Sequence, residues 1–464
     1  MGNRYLVVSD LHLVDVEEHE DGWKAYKSSR YVVDKPFDAL VANFIKEAAG
    51  GDRLTLILNG DIIEFDMITS APTQPPWPVS RHERKVGLDP TEEKSTWKLQ
   101  RVLIDHPEFV STLARFISAG HRVVYIMGNH DREFHFQAVQ DLFIAALEKR
   151  AQELGISLTR GSMEFEPWFY YVQDEIYVEH GHQYDHYNCF KYLLHPVVKE
   201  GDKEQLALPM GNLANRVLMS RMGYFNPHSG GFILGLFHYA WHWMRYYALS
   251  RRSLLLPWFF GSLWVVSRLL RMKKLLRLPP PEHLERLREV GRSFDLTPGE
   301  LEALGQLQRT PIAQRLFRIL HEFWFDRVIV ALLMTGSTVA LALAPIPLWI
   351  KLMVPLSTFP LLWLLYGILS RGENIFVIET ELPQRARALA RVLPARLVVL
   401  GHTHVPRQIP INKHTDYIDT GTWAPIWPEK KNEGGGPLSP GYRNYLSALF
   451  QRKNVTYRLG SWME

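Results

Sequence analysis

The sequence predicts an α/β fold that is interrupted by a long, mainly helical insertion. Short apolar runs alternate with amphipathic helices at both ends of the chain, and turns rich in Asp and His follow the apolar runs. Between the two ends this alternation stops, and aromatic and apolar stretches take its place. Because the alternation resumes near the end of the chain, we expect both ends to belong to one domain.

Length and composition bound the class of protein. The chain has 464 residues and a mass of 53.8 kDa, and at 46% hydrophobic and 22% charged it has the composition of a folded protein. A net charge of +4 does not by itself indicate a nucleic-acid partner. The single cysteine, Cys189, excludes an internal disulfide and a Cys-based zinc site and fits a reducing compartment. The first strand follows Arg4 directly, so we expect no signal peptide and a cytosolic N-terminus.

Residues 1–190 repeat a strand–loop–helix order. Strands are predicted at 4–9, 54–59, 122–127, 164–172 and 175–179, and helices at 37–49, 95–119 and 137–154. The proline-rich segment 71–78, followed by Arg81 and Arg84, predicts a long loop beside the second strand. This loop is a candidate substrate flap.

Residues 191–395 are predicted to form the insertion. Its stretch 232–277 is dense in aromatic residues and ends in five basic residues without an acid. This pattern favours a membrane interface with anionic headgroups over a buried helical pair with a solvated basic tail. A polar helical stretch follows, with helix starts predicted at Pro281 and Thr297.

Two charge-free apolar runs within 328–369 are each long enough to predict a transmembrane helix. Pro345 and Pro347 mark a turn between them. Arg327 and Arg371 flank the pair, which predicts a hairpin with both ends on the cytosolic side. The alternative is a helical hairpin buried in a soluble protein.

Residues 396–464 return to the α/β pattern, with strands predicted at 397–400, 416–419, 445–450 and 455–459. Metal-binding residue types follow the carboxyl ends of the predicted strands in both parts of the chain, where ligands collect in α/β sheets. Each residue alone could cap a turn or satisfy a hydrogen bond. Together they form five ordered motifs, which are Asp10-Leu11-His12, Gly60-Asp61-Ile62-Ile63-Glu64, Gly128-Asn129-His130-Asp131, His180-Gly181 and Gly401-His402-Thr403-His404.

These motifs resemble those of the calcineurin-like metallophosphoesterase superfamily. The resemblance covers roughly residues 1–190 and 396–464 and implies an αββα sandwich with two divalent metal ions. His130 would stabilise transition-state charge or protonate the leaving oxygen, and Asp131 would fix its tautomer and orientation. The ligands that the resemblance implies are Asp10, His12, Asp61 and His404 for one metal, and Asp61, Asn129, His180 and His402 for the other, with Asp61 bridging.

Ligands drawn from His, Asp and Asn, without thiolate, favour Mn²⁺, Fe²⁺ or Zn²⁺. Two such ions can clamp a phosphate and lower the pKa of a water molecule, so we expect hydrolysis of a phosphomonoester, phosphodiester or pyrophosphate. Glu64 is better placed to support the ligands than to catalyse. His182 and Asp185, just beyond His180, have no assigned role.

Within the superfamily the chain is distantly similar to the membrane-associated UDP-2,3-diacylglucosamine hydrolases, which share its motif order and handle a lipid substrate at the cytosolic face. Those enzymes commonly carry Arg where this chain has His130, and their insertion is much shorter. The complete ligand set, together with the apolar insertion, predicts a lipid-linked or headgroup phosphate substrate at the cytosolic membrane face. Two alternatives remain, a metallophosphatase of soluble nucleotides or phosphoproteins and an inactive membrane scaffold. Nucleic-acid processing is disfavoured because the basic residues lie in apolar surroundings.

Overall fold

A computed structural model describes most of the chain, namely residues 2–20, 23–48, 52–159, 161–221, 244, 255–323, 325–369, 378–425, 443–451 and 454–462. The strands are β1 (Asn3–Val8), β2 (Arg53–Asn59), β3 (Arg122–Ile126), β4 (Met163–Glu166), β5 (Phe169–Val172), β6 (Ile176–Glu179), β7 (Val197–Glu200), β8 (Lys203–Leu206), β9 (Leu397–Leu400), β10 (Arg407–Pro410), β11 (Asp416–Asp419), β12 (Asn444–Gln451) and β13 (Asn454–Ser461). The helices are α1 (Asp34–Glu47), α2 (Glu83–Val86), α3 (Glu92–Asp105), α4 (Pro107–Ser118), α5 (Gln137–Glu153), α6 (Met210–Val217), α7 (Leu255–Leu275), α8 (Pro281–Ser293), α9 (Pro298–Leu307), α10 (Leu316–Glu322), α11 (Phe325–Leu343), α12 (Leu348–Leu369) and α13 (Ile378–Val392).

Two mixed sheets form the centre of the structure. In the first sheet the strand order is β13-β12-β1-β2-β3-β4, and β1 to β4 run parallel. In the second the order is β10-β11-β9-β6-β5, and β9 runs parallel to both β6 and β11. The parallel strands of each sheet therefore bring their carboxyl ends to one edge.

The two sheets pack face to face, and helices cover both outer faces. Apolar side chains from both sheets, such as Val7, Ile57, Val178 and Val399, form the core between them. Helices α1, α3, α4 and α5 bury their apolar faces on the first sheet, and α9 and α13 bury theirs on the second. The mixed α/β class predicted from the sequence is confirmed, in a four-layer order consistent with an αββα sandwich.

Two elements that the sequence pattern predicts as continuous are split at a proline. The helix predicted over 95–119 is two helices, α3 and α4, because Pro107 has no N–H and restricts the backbone of His106 before it. The strand predicted over 164–172 divides at Pro167 into β4, in the first sheet, and β5, in the second. This crossing places β6, and with it His180, in the second sheet.

The stretch 191–395 is mainly helical, as expected, but it also contains the antiparallel pair β7–β8. Its helices share their apolar side chains with the sandwich: Leu213 of α6 and Val265 of α7 lie in the core that covers the first sheet. Helix α9 begins with the predicted cap, in which Thr297 and Glu300 hydrogen-bond each other's backbone N–H groups. The domain boundaries at 190 and 395 stay predictions.

Helices α11 and α12 form a helical hairpin where the two apolar runs predict one. Among the described residues, α11 alone is a helix long and apolar enough to cross a membrane by length and composition. Its mean hydropathy is 1.6, and none of its apolar stretch is buried. The apolar part of α12 is the shorter Leu348–Leu364. Because the hairpin is exposed, it does not fit the alternative of a hairpin buried in a soluble core. Most of the aromatic stretch before α7, and the flanking Arg371, lie outside the described residues.

Candidate metal centre

The loops that carry the predicted site residues leave the carboxyl ends of β1, β2 and β3 in the first sheet and of β6 and β9 in the second. They are hydrogen-bonded to one another: the Asp10 N–H donates to the Gly60 carbonyl over 3.1 Å, and the His12 N–H to the Asp61 carbonyl over 3.0 Å. After β11, the Trp423 N–H donates to the Asp10 carbonyl over 3.0 Å. The two sheet edges thus form a single site.

The backbone of the site is strained. Asp10, His12, Asp61, His402 and His404 have φ of 53°, 48°, 53°, 72° and 62°. A positive φ brings the Cβ of an L-residue close to its own backbone and costs on the order of 1–3 kcal/mol at each position. Such a conformation persists only where the surrounding structure holds it, and here it turns successive side chains toward one point.

Asp10, His12 and His404 form the first cluster. The two Nε2 atoms of His12 and His404 lie 3.2 Å apart, and Asp10 Oδ1 lies 3.2 Å from His404 Nε2 and 3.8 Å from His12 Nε2. Atoms that ligate one ion at about 2.1 Å have separations of this size. Asp10 Oδ1 is buried without a hydrogen-bond partner. These three residues therefore fit one metal ion.

Asp61, His180 and His402 form the second cluster, and their ligand atoms lie within 4.8 Å of one another. His180 Nε2 is 3.0 Å from Asp61 Oδ2, and both atoms are buried and lack a hydrogen bond. Asn129 is buried nearby, at the end of β3, with neither side-chain atom hydrogen-bonded, and the next residue's N–H donates to Asp61 Oδ1 over 2.8 Å. The donor set fits a second divalent ion.

Three of the histidines are held by an acceptor on the ring nitrogen that faces away from the clusters. Glu64 Oε2 lies 2.9 Å from His12 Nδ1, and the Asn59 carbonyl accepts from His180 Nδ1 over 3.0 Å. Asp185 Oδ2 lies 3.1 Å from His402 Nε2. Acceptors in this position fix the ring orientation and leave the other nitrogen for a metal. Glu64 and Asp185 are therefore supporting residues.

The buried carboxylates give the site a strong negative potential. Burial opposes the ionised form of Asp10, but His180 and His404 hold its pKa at about 2. Burial likewise disfavours the charged form of His180, yet Asp61 and Asp10 raise its pKa to about 10. Carboxylates that draw protons onto neighbouring imidazoles in this way attract a divalent cation for the same reason.

The partner predicted for His130 is wrong. His130 Nδ1 lies 3.0 Å from Asp66 Oδ2 and 3.1 Å from Glu64 Oε1, not against Asp131. Burial lowers the pKa of His130, but Glu64 and Asp61 raise it well above its usual value. The group that fixes its tautomer is therefore the Asp66 and Glu64 pair, which lies in the loop after β2.

Asp131 instead holds the backbone of the site. Its Oδ1 accepts from the Gly128 N–H over 2.6 Å, and its Oδ2 accepts from the Ile62 N–H over 2.9 Å and the Tyr125 hydroxyl over 2.7 Å. Burial, with the charge of Asp61 nearby, raises its pKa to about 6. Its side chain points away from His130 because the loop after β3 turns it back beneath the loop after β2.

Among the described residues, three that contact the site lie outside the five sequence motifs, namely Asp66, Asn212 and Asn215. Asp66 is two residues beyond Glu64, so the extended pattern Glu-x-Asp was a visible signal. Asn212 and Asn215, on α6, lie in the stretch assigned to the insertion and were signalled only by their spacing of one helical turn. His182, which the sequence leaves without an assigned role, is fully buried, and neither of its ring nitrogens has a hydrogen-bond partner. Burial lowers the pKa of His182 well below the usual value.

Comparison with known families supports this chemistry. A family model described as calcineurin-like phosphoesterase matches residues 4–251, which include every predicted ligand up to His180. The match ends before His402 and His404, which the fold brings to the same site. No curated protein matches the chain. The specific similarity to UDP-2,3-diacylglucosamine hydrolases therefore stays a prediction.

Proposed function

The chain belongs to the calcineurin-like phosphoesterase family and is thus a hydrolase of phosphoric ester bonds, and we propose that it is a dinuclear enzyme acting on a lipid-linked phosphate at the cytosolic face of a membrane. The observation that carries the proposal is the convergence of two ligand clusters from two sheets on one buried site. Unpartnered buried atoms of Asp10, Asp61, His180 and Asn129 support it, since such atoms are costly without a cation.

Two divalent ions, of Mn²⁺, Fe²⁺ or Zn²⁺, complete the proposed site. Asp10, His12 and His404 would hold one, and Asn129, His180 and His402 the other, with Asp61 between them. When bound, the ions clamp the phosphate and lower the pKa of a water molecule. The carboxylates and the oriented imidazoles keep this arrangement rigid, because an acceptor fixes the rings of His12, His180 and His402 from behind.

The proton is handled by His130. Its Nδ1–H donates to Asp66 and Glu64, so that Nε2 faces the site and can donate to the leaving oxygen or stabilise negative charge on the phosphate. A residue of this kind contributes about 10² to 10⁴ in rate. Neither Glu64 nor Asp66 belongs to the two ligand clusters, which weighs against an inactive scaffold.

The membrane part of the proposal is supported by the exposed hairpin. Helix α11 is about 28 Å long at 1.5 Å per residue, close to the hydrocarbon thickness of a bilayer. At the base of the hairpin, Arg327 Nε donates to the Tyr366 hydroxyl over 3.1 Å, and that hydroxyl donates to Asp326 over 2.7 Å. Near the tip, Lys351 Nζ donates to the Ala342 carbonyl over 2.7 Å. Polar groups at both ends and an apolar middle are typical of a span.

The base of the hairpin is connected to the site. Phe259 of α7 contacts Phe325 at the start of α11, with ring centroids 6.0 Å apart. Further along α7, Trp264 stacks on His82 of the candidate flap at 4.3 Å. Helix α7 also packs on α6, which contacts the site. This continuity favours a substrate presented from the membrane surface over a soluble one.

Hydrolysis of p-nitrophenyl phosphate by the purified full-length chain with Mn²⁺ tests the core of the proposal. We expect Asp61→Asn to lower kcat at least 10²-fold because it weakens both clusters. Asp141→Asn, on the exposed face of α5, is the matched control and should behave as wild type. Equal rates for wild type and Asp61→Asn would overturn the assignment.

The substrate class is tested separately. We expect Mn²⁺-dependent phosphate release from lipid-linked phosphates in mixed micelles, at a kcat/KM well above that for nucleotides or a phosphopeptide. The protein should also stay with membranes in carbonate, because an inserted hairpin resists extraction whereas a peripheral protein does not. Preference for a soluble nucleotide, together with carbonate release, would support the soluble alternative instead.

A further inference from the structure

Helix α6 connects the insertion to the candidate metal centre. It is buried on the side that carries Leu213 and Val217, which pack in the core over the first sheet. Arg216, also buried, donates to the Gly87 and Leu88 carbonyls over 3.2 and 2.6 Å. With apolar contacts on one side and these hydrogen bonds on the other, α6 has a defined position beside the site.

Asn212 joins two loops of the site. Its side chain is fully buried, and its Nδ2 donates to Asp66 Oδ2 over 2.5 Å and to the Asn129 carbonyl over 2.8 Å. Asp66 Oδ2 is the same atom that lies 3.0 Å from His130 Nδ1. Asn212 therefore holds both the acceptor behind His130 and the backbone of a predicted metal ligand.

Asn215 lies on the opposite side of the same imidazole. One turn along α6 from Asn212, it is half-buried, and its Nδ2 is 3.3 Å from His130 Nε2. Glu64 and Asp66 face the other ring nitrogen, Nδ1. An oxygen that accepts a hydrogen bond from His130 Nε2 thus falls within reach of the Asn215 amide.

We infer that Asn215 is a catalytic residue that donates a hydrogen bond to the leaving-group oxygen of the substrate, and that Asn212 is a positioning residue for His130. This inference rests on the proposed function and extends it to the insertion. As the water oxygen forms its bond to phosphorus, the bond from phosphorus to the leaving oxygen breaks. Asn215 stabilises the negative charge that develops on that oxygen as the bond breaks, and the oxygen then takes the proton of His130 Nε2. The water proton passes to solvent, and His130 regains a proton from solvent.

A pair of aryl phosphates tests this role, since p-nitrophenolate leaves readily and phenolate does not. With Mn²⁺ and the full-length protein, we expect Asn215→Ala to lower kcat for phenyl phosphate roughly 10- to 100-fold, as for loss of one hydrogen bond to a charged group. The loss for p-nitrophenyl phosphate should be several-fold smaller. Asn212→Ala should lower kcat for both substrates by the same factor, with KM unchanged, and Asn212→Gln should restore part of the loss.

Asn43→Ala is the control, because Asn43 also lies on a helix and bonds one turn away, to Glu47, but far from the site. Asn215→Asp, which keeps the shape but removes the donor, serves if Asn215→Ala fails to fold, and it should show the same leaving-group dependence. Wild-type rates in Asn215→Ala, or equal losses for both substrates, would overturn the inference while leaving the proposed function intact. A wild type no faster than Asp61→Asn would overturn both.

Discussion

At the scale of single residues, the side chains behind the candidate ligands determine the chemistry as much as the ligands do. Glu64 contacts both His12 and His130, so one carboxyl group serves a predicted ligand and the predicted proton donor. Asp66, not Asp131, is the second partner of His130. Asp66 takes the place predicted for Asp131 because the loop after β2 brings the Asp66 carboxylate to the imidazole of His130.

The two acids can be told apart by mutation. We expect Asp66→Asn to lower kcat about 10²-fold with metal content unchanged, because it weakens the acceptor behind His130. Asp131→Asn should instead lower the Tm and the bound metal, because asparagine keeps only one of the two oxygens and sets an NH2 group against the N–H of Gly128 or Ile62. Kinetics with metal analysis of each variant would measure this. If Asp131→Asn lowered only kcat and Asp66→Asn lowered the Tm and the bound metal, the pairing of His130 with Asp131 that the sequence predicts would be supported instead.

His106 gives a prediction about pH and stability at a point remote from the candidate site. Its Nδ1 lies 2.7 Å from Asp34 Oδ1, and its Nε2 lies 2.9 Å from the Val14 carbonyl. Burial lowers the pKa of His106, but Asp34 raises it above the usual value overall. A group whose pKa is raised by folding contributes stability, and this contribution is fully present at pH values below the unfolded-state pKa of about 6.5. The contribution is lost as the pH rises through the folded-state pKa.

His106→Gln should therefore destabilise the protein by about 2 kcal/mol near pH 5.5 and by less at pH 9, in thermal unfolding at both pH values. His121→Gln is an informative comparison because burial lowers the pKa of His121. A lowered pKa makes the native histidine unfavourable in acid, so the cost of this variant should shrink at low pH. A pH-independent difference for His106→Gln would contradict a charged His106.

At the scale of elements, the loops that follow the strands are packed so closely that only glycine fits at certain positions. A Cβ at Gly128 would lie 2.2 Å from Asp61 Oδ1, and one at Gly60, where φ is +76°, would lie 2.6 Å from the ring of His180. Both neighbours are predicted ligands held by buried contacts. The strand-end loops thus tolerate little displacement.

Gly128→Ala is expected to cost more than 2 kcal/mol in stability and to abolish metal-dependent hydrolysis, because Asp61 must move. Gly305→Ala, in α9, is the matched control: its Cβ would meet nothing within 4 Å, so it should raise stability by up to about 1 kcal/mol. Thermal unfolding and p-nitrophenyl phosphate turnover measure both effects. Full activity in Gly128→Ala would show that the loop after β3 can relax.

At the scale of the whole molecule, the candidate site constrains the proposed topology. His402 and His404 lie beside Asp61 and Asp10 of the first sheet. In the sequence, the hairpin separates these two histidines from the two aspartates. Both parts of the site must therefore lie on one side of any membrane, and the number of crossings must be even. A hairpin of α11 and α12 satisfies this requirement.

Cysteine labelling can test that arrangement because the native Cys189 is buried. We expect Ile346→Cys, at the turn between α11 and α12, to react with a membrane-impermeant maleimide from outside intact cells. Leu278→Cys, at an 80% exposed position between α7 and α8, should react only after the cells are opened. Labelling of both positions from the same side would exclude a spanning hairpin.

Much about this protein follows from its sequence alone. Strand-end motifs such as Asp10-Leu11-His12 are local patterns, so they predict the family, the α/β class and the candidate ligands without a structure. The apolar hairpin is equally a local signal of length and composition. The split at Pro107 follows from the missing N–H of proline, a local signal that the helical periodicity masks. The assignment of β4 and β5 to different sheets depends on strand pairing, which the sequence does not record.

Only the tertiary structure decides which residues from distant parts of the chain support the site. Asp66 replaces Asp131 as the partner of His130 because the loops after β2 and β3 cross, and no pattern of neighbouring residues records that crossing. Asn212 and Asn215 reach the site from a stretch that the sequence indicates only as insertion. The two contacts join residues 146 and 85 positions apart. They arise because the apolar face of α6 packs beside the first sheet and orients its polar face toward His130.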